Sequence, residues 1–170
     1  VSGNHEARVS EYRELKTGLV ASGVTVLEDE LAEIKVSGES ITIIGVNDPS
    51  FSTDYLAGDA AVMDEKLSAL AAEDAGFTIL LSHRPELFDT YVSHDMDLAL
   101  SGHAHGGQFR LPLIGGLVAP NQGLFPKYDA GLYSENHTNM IVSRGLGNSI
   151  IPFRFNNRPE VVLIELKSQS

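Results

Sequence analysis

Two histidines, His103 and His105, stand one residue apart in the stretch Ser101-Gly102-His103-Ala104-His105-Gly106-Gly107, directly after an apolar run ending at Leu100. In an extended segment alternate residues share a side, so the two imidazoles are expected to stand together with Cα atoms about 6 to 7 Å apart. That spacing suits a pair of metal ions about 3.5 to 4 Å apart, each taking one histidine, as in two-metal hydrolytic sites. Gly102, Gly106 and Gly107 let the backbone turn sharply and approach a ligand closely. A glycine-rich turn with incidental histidines would account for this stretch alone. Two further histidine elements weigh against that reading: Gly3-Asn4-His5-Glu6 opens a helical pattern, and Ser82-His83-Arg84-Pro85 follows the apolar run ending at Leu81. His94 and His137 sit in polar turns outside these elements and read as solvated surface residues.

Composition narrows the chemistry. There is no cysteine, so thiolate sites and disulfides are excluded and any metal must be held by nitrogen and oxygen. A net charge of −11 over 170 residues argues against a nucleic-acid partner, which needs a basic face. No apolar run approaches the roughly 20 residues that span a bilayer.

The elements that must position these residues follow from periodicity. Val9, Tyr12, Leu15, Leu19 and Val20 predict a helix from Glu6 to Ala21, whose N-terminus would offer Asn4 and His5 to an anion. Strands are expected over residues 24–27, 31–36 and 41–46, with Ser37-Gly38-Glu39 as a hairpin turn, before Asn47-Asp48-Pro49 breaks the pattern. A second helix is expected from Asp59 to Glu73, a buried strand from Phe77 to Leu81, a short helix from Pro85 to Tyr91, and a strand from Met96 to Leu100. The Gly- and Pro-rich segment 108–131 is expected to be an ordered loop whose apolar residues pack on the core. Closing strands are expected over 131–133, 139–143 and 161–166. The alternation predicts an α/β fold, in which sites form beyond the carboxyl ends of the strands.

Taken in order, Gly-Asn-His-Glu, Ser-His-Arg-Pro and Ser-Gly-His-Ala-His-Gly-Gly-Gln resemble the later motifs of the calcineurin-like metallophosphoesterases. Ser143-Arg144-Gly145-Leu146-Gly147, Pro152-Phe153-Arg154 and Pro159-Glu160 resemble the tail of the bacterial membrane-associated branch of that family. The resemblance implies an α/β fold of two sheets packed between helices (α-β-β-α), and a single catalytic domain, incomplete at its N-terminus, across residues 1–170. The family's Asp-x-His and Gly-Asp-x-x-Asp elements, which supply carboxylate ligands, do not occur before Asn4. By the same resemblance Asn4, His83 and His103 would bind one metal, His105 the other, and His5 would be the catalytic histidine that serves the departing oxygen. An imidazole ordinarily titrates near neutrality, which suits that role.

Arginine matches phosphate bidentately, which makes Arg84, Arg110, Arg144 and Arg154 candidates for substrate contacts. The resemblance favours Arg144 and Arg154 among them and places Asp48 at the active face. It further implies two divalent ions, Mn, Fe or Zn, in the intact enzyme, with empty or partly filled sites and poor activity in this chain alone. The expected substrate is a phosphomonoester or phosphodiester, with a lipid-linked one in view; localisation is left open, a membrane-associated or exported parent protein being one option and the chain itself being expected to be soluble. No nucleic acid is expected, whereas a second copy pairing along an exposed sheet edge is. The competing reading is a non-catalytic binding or scaffold module of the same fold.

Overall fold

A computed structural model describes residues 1–36, 38–54, 56–71, 76–148 and 152–167. After a 3-10 turn at Glu6–Arg8 come α1 (Tyr12–Ala21), β1 (Glu30–Val36), β2 (Glu39–Gly45), α2 (Asp59–Ala69), β3 (Phe77–Leu81), α3 (Phe88–Ser93) and β4 (Leu98–Ser101). There follow β5 (Arg110–Leu111), β6 (Gly115–Gly116), β7 (Val118–Ala119), β8 (Gly123–Leu124), β9 (Gly131–Glu135) and β10 (Thr138–Val142). The protein is an α/β fold with a mixed sheet in the order β1-β2-β3-β4-β10-β9. Its four central strands, β2, β3, β4 and β10, run parallel, and β1 and β9 close the edges antiparallel. Of the two sheets that the resemblance implies, the described residues build this one, together with two small ladders, β5 with β6 and β7 with β8.

The core lies on the face covered by α2 and α3. Ile44, Val46, Leu80, Ala99, Met140 and Val142 from the sheet region meet Met63 and Leu67 of α2 and Phe88 and Tyr91 of α3. Parallel strands buried by helices read as continuous β-branched and aliphatic runs, which is how Ile41–Ile44 and Phe77–Leu81 are written. Because β3 and β4 are neighbours with Leu81 opposite Leu100, the loops after them emerge side by side.

Several sequence expectations need correction. The first helix does not begin at Glu6: a 3-10 turn ends at Val9, which is extended, and the α-helix starts only at Tyr12. Asn4 and His5 therefore do not cap an α-helix. Residues 24–27 form no strand, because Leu27 is laid over β2, where Gly45 has no side chain to obstruct it. Residues 161–166 also form no strand and are largely exposed. In the segment 108–131, Leu113, Ile114, Leu124 and Phe125 are exposed rather than packed on the core. The expected turn residue Ser37 and the expected helix end Glu73 lie outside the described residues. Among the described residues no helix is long and apolar enough to cross a membrane.

Candidate functional site

The loops after β3 and β4 carry His83 and His103, and their rings meet with centroids 4.6 Å apart. His103 Nδ1 lies 3.0 Å from His83 Nε2. The Asn4 amide oxygen also stands 3.0 Å from that same nitrogen. Gly3 lets the N-terminal stretch of chain approach: a Cβ there would stand 2.9 Å from the His83 ring atoms Cε1 and Nε2. The three motif elements, far apart in sequence, thus bring two imidazole nitrogens and an amide oxygen to one place.

These atoms are held as lone-pair donors. His103 is 5% exposed, and burial followed by the neighbouring His83 pushes its pKa down to about 3. His83 is lowered too, by burial and by the Arg84 charge, against an opposing pull from Asp48. His83 Nε2 takes part in both contacts, and in a neutral ring it carries either one proton or one lone pair, so it cannot serve both neighbours with a well-aligned hydrogen bond. A cation answers that arrangement. Donors about 2.1 Å from one ion and at right angles to each other stand about 3.0 Å apart, so the observed separations fit a divalent ion with nitrogen and oxygen ligands. Among the described residues no group of three or more His, Cys, Asp or Glu side chains forms a metal cluster, and the set here is completed by an asparagine.

The second histidine of the loop is placed differently from the expectation of an extended strand. His103 (φ 61°), His105 (φ 48°), Gly106 (φ 64°), Gly107 (φ 73°) and Gln108 (φ 57°) all take left-handed backbone, and 105–107 is a 3-10 turn. Non-glycine residues in this region cost energy and persist where surrounding structure fixes them. Here the fixing residues are visible. Asn157, 3% exposed, donates from Nδ2 to the carbonyls of His105 (2.7 Å) and Gln108 (3.1 Å). Arg110 donates to the Gly106 carbonyl at 3.0 Å and to Asp129 at 2.7 Å. Gly107 packs against the backbone of Gly116 so closely that a side chain has no place. His105 is half-buried; burial first, and then the Arg154 charge, lower its pKa. His5 is exposed, and its charge acts on His105.

Of the candidate substrate-binding residues, Asp48 is engaged within the protein. It is 1% exposed, and Arg84 grips both of its oxygens, Nε to Oδ2 at 2.6 Å and Nη2 to Oδ1 at 2.7 Å. Burial alone would raise the Asp48 carboxyl, but Arg84 and the Ser50 N–H outweigh it and hold it below the ordinary aspartate range. Asp48 and Arg84 therefore brace the His83 loop rather than face a substrate, and Arg110 is likewise engaged in holding the His105 loop. Arg154 differs. Its Nη2 donates to the carbonyls of Arg144 and Gly147, while its Nε and Nη1 are buried without a hydrogen-bond partner among the described residues. Arg144 packs its aliphatic stem on Gly106 and places Nε 3.4 Å from Glu160. His94 and His137 pair with surface aspartates, Asp64 and Asp95.

Glu86 and Asn157 also belong to this site, although the motifs alone do not single them out. For Glu86 a signal exists, an acid in the first turn directly after the His83 motif. Asn157 offers none, because its partners are some fifty residues away.

No family model matches the chain. Over 169 residues, 99% of its length, it is 30% identical to an uncharacterized metallophosphoesterase of Bacillus subtilis, YkuE, covering 55% of that protein. Over 166 residues, 96% of its length, it is 30% identical to the phosphodiesterase YaeI of Escherichia coli, covering 56% of that protein. Over nearly its whole length the chain is similar to metallophosphoesterases. It spans about half the length of these curated relatives. A solved Staphylococcus aureus structure assigned as a 5'-nucleotidase shares the fold at 14% identity, with a TM-score of 0.50 over 85% of this chain and 32% of that one. Metallophosphoesterases act on phosphoesters and imply divalent metal ions, and the donor set above is of the kind that holds such ions.

Proposed function

We propose that this chain contributes the histidine half of a two-metal phosphoesterase centre. The observation that carries this reading is the convergence of Asn4 Oδ1, His83 Nε2 and His103 Nδ1 at 3.0 Å steps. In the proposal these three hold one divalent ion, Mn, Fe or Zn, and His105 belongs to a second. When bound, such ions supply positive charge to phosphoryl oxygens and generate a nucleophile at neutral pH. The chain's own residues do the rest. Arg154, with two donor nitrogens unspent, takes a phosphate oxygen beside His105, and Arg144 adds charge at the same edge. His5, exposed and beside His105 without joining the donor set, gives a proton to the departing oxygen.

All the donors described are neutral, so the chain alone binds ions weakly and turns over slowly; carboxylates from elsewhere in the protein complete the centre. Exposed Leu113, Ile114, Leu124 and Phe125 stand on the segment that packs against Gly107, which supports a phosphate ester with an apolar, lipid-like portion. The exposed edge strand β1, with Leu31, Ile34 and Val36 open to solvent, supports pairing with a second copy.

The test measures metal content and hydrolysis of a chromogenic phosphodiester in this chain and in the full-length protein. We expect His103→Ala to abolish both metal binding and activity. His5→Ala should slow turnover by about 10² to 10⁴ with metal content unchanged. Equal metal loss in the two variants would overturn the assignment of His5. Full two-metal loading of this chain alone would overturn the half-centre.

A further inference from the structure

We propose that Glu86 is a positioning residue: its carboxylate holds His103 in the tautomer protonated on Nε2, so that the Nδ1 lone pair faces His83 and Asn4. The proposal rests on the reading of those three residues as a metal donor set.

The two nitrogens of the buried His103 ring have different surroundings. Nδ1 lies 3.0 Å from His83 Nε2, among the other donors. Nε2 is buried with no hydrogen-bond partner among the described residues, and Glu86 Oε1 stands 3.8 Å from it. The other Glu86 oxygen, Oε2, is also buried and without a partner among the described residues. A neutral imidazole carries one N–H. Placed on Nδ1, that proton would leave the Nε2 lone pair against a carboxylate, two acceptors together in a buried site, and would block the donor side. Placed on Nε2, it points toward the Glu86 carboxylate, which so far accepts only from Arg84 through Oε1 among the described residues, and the Nδ1 lone pair is left where the other donors converge. The 3.8 Å separation exceeds a hydrogen bond, and a carboxylate movement of about 1 Å closes it.

The local chain aims Glu86 at this position. It sits in the 3-10 turn Pro85–Leu87, immediately after His83-Arg84, and that turn is begun by a proline whose φ suits a first turn. Arg84 Nη1 donates to Glu86 Oε1 at 3.3 Å and to Asp59 Oδ2 at 3.0 Å, while its Nε and Nη2 are clamped by Asp48. One arginine therefore fixes the carboxylate behind His103 and braces the loop that bears His83. A carboxylate behind a ligating histidine fixes both tautomer and ring orientation, and its removal typically costs 10- to 100-fold in metal affinity.

The experiment is nitrogen-15 long-range correlation NMR of the imidazoles in the metal-free protein at pH 8, with Zn²⁺ and Mn²⁺ titrated by calorimetry. We expect His103 to carry its proton on Nε2. Glu86→Ala should lose that preference and weaken Zn²⁺ or Mn²⁺ binding about 10- to 100-fold, whereas Glu86→Gln, which keeps an acceptor oxygen, should retain the tautomer. A wild-type His103 protonated on Nδ1, or a Glu86→Ala protein with unchanged tautomer and affinity, would overturn the proposal. Should Glu86→Ala fail to fold, the wild-type and Glu86→Gln spectra decide it. If the wild type takes up neither ion, the metal reading fails while the tautomer result still tests Glu86.

Discussion

The loops that follow β3 and β4 and the segment 108–131 are both rich in residues able to build a site, and the fold treats them in opposite ways. At these strand ends polar side chains are driven inward: Arg84 after β3, His103 after β4 and Asp48 after the neighbouring β2 are all nearly inaccessible, and the Asp48 and Arg84 charges answer each other. In 108–131 apolar side chains are left outside, with Leu113 fully exposed and Phe125 at 59%. The difference is one of support. The parallel strands β3 and β4 are covered by α2 and α3, so their ends are rigid and dry enough to offset the cost of buried polar groups through pairing. The ladders β5–β6 and β7–β8 are two residues per strand and hide little.

The largest test of that contrast is Arg84→Ala. Removing one partner from a buried ion pair leaves an uncompensated charge, here Asp48, and costs about 3 to 5 kcal/mol. Urea unfolding of the metal-free protein should show it. A loss below about 1 kcal/mol would mean that the strand ends are no better braced than the loop.

Acid should act on the same region next. His83 and His103 are held neutral in the fold, with pKa values lowered below the ordinary 6.5, His103 to about 3. The unfolded chain therefore takes up protons that the folded one refuses as pH falls from about 6.5, and stability declines through that range toward pH 3. Asp48, whose pKa is depressed, adds its own loss only below the usual aspartate range. Buried Glu86, whose pKa is raised, works in the opposite sense, because acid relieves its charge. Measured between pH 7 and 4.5, the slope should be shallower in His103→Gln than in the wild type.

Where the two regions touch, glycine sorts them. Gly107 has φ 73° and its α-carbon faces the backbone of Gly116, whereas a methyl group at Gly102 would meet nothing within 4 Å. Gly107→Ala should thus cost about 1 to 3 kcal/mol or more, and Gly102→Ala close to nothing, read by thermal unfolding.

How much of the molecule is legible in its sequence follows the same division. The β-branched runs, the parallel order and the meeting of His83 with His103 follow from hydrophobic periodicity and from motif order, because strand ends in such a sheet lie side by side. The His105 turn does not follow. Alternation of two histidines suggests an extended segment, but the left-handed backbone from His105 to Gln108 is imposed by Asn157 and Arg110, contacts remote in sequence from the first and short of any periodic pattern from the second. Asp48 misleads for a related reason: a carboxylate after a strand reads as a site residue until its arginine is known, and Arg84 is 36 residues away.

The smallest expected effect lies at the tip of the glycine-rich segment. Leu113 is fully exposed with φ 68°, an uncomfortable conformation for a leucine, so its side chain neither packs on the core nor eases the turn. Leu113→Asn places in that turn a residue that tolerates the left-handed region and removes an apolar group from water. Stability in dilute solution should therefore change by less than about 0.5 kcal/mol, or rise slightly. If the tip serves an amphiphilic phosphate ester, the same variant in the full-length protein should raise KM for a long-chain phosphodiester and leave a short chromogenic one unaffected. A substantial loss of stability would instead mean that Leu113 packs against protein, and the contrast between the two regions would be narrower than drawn.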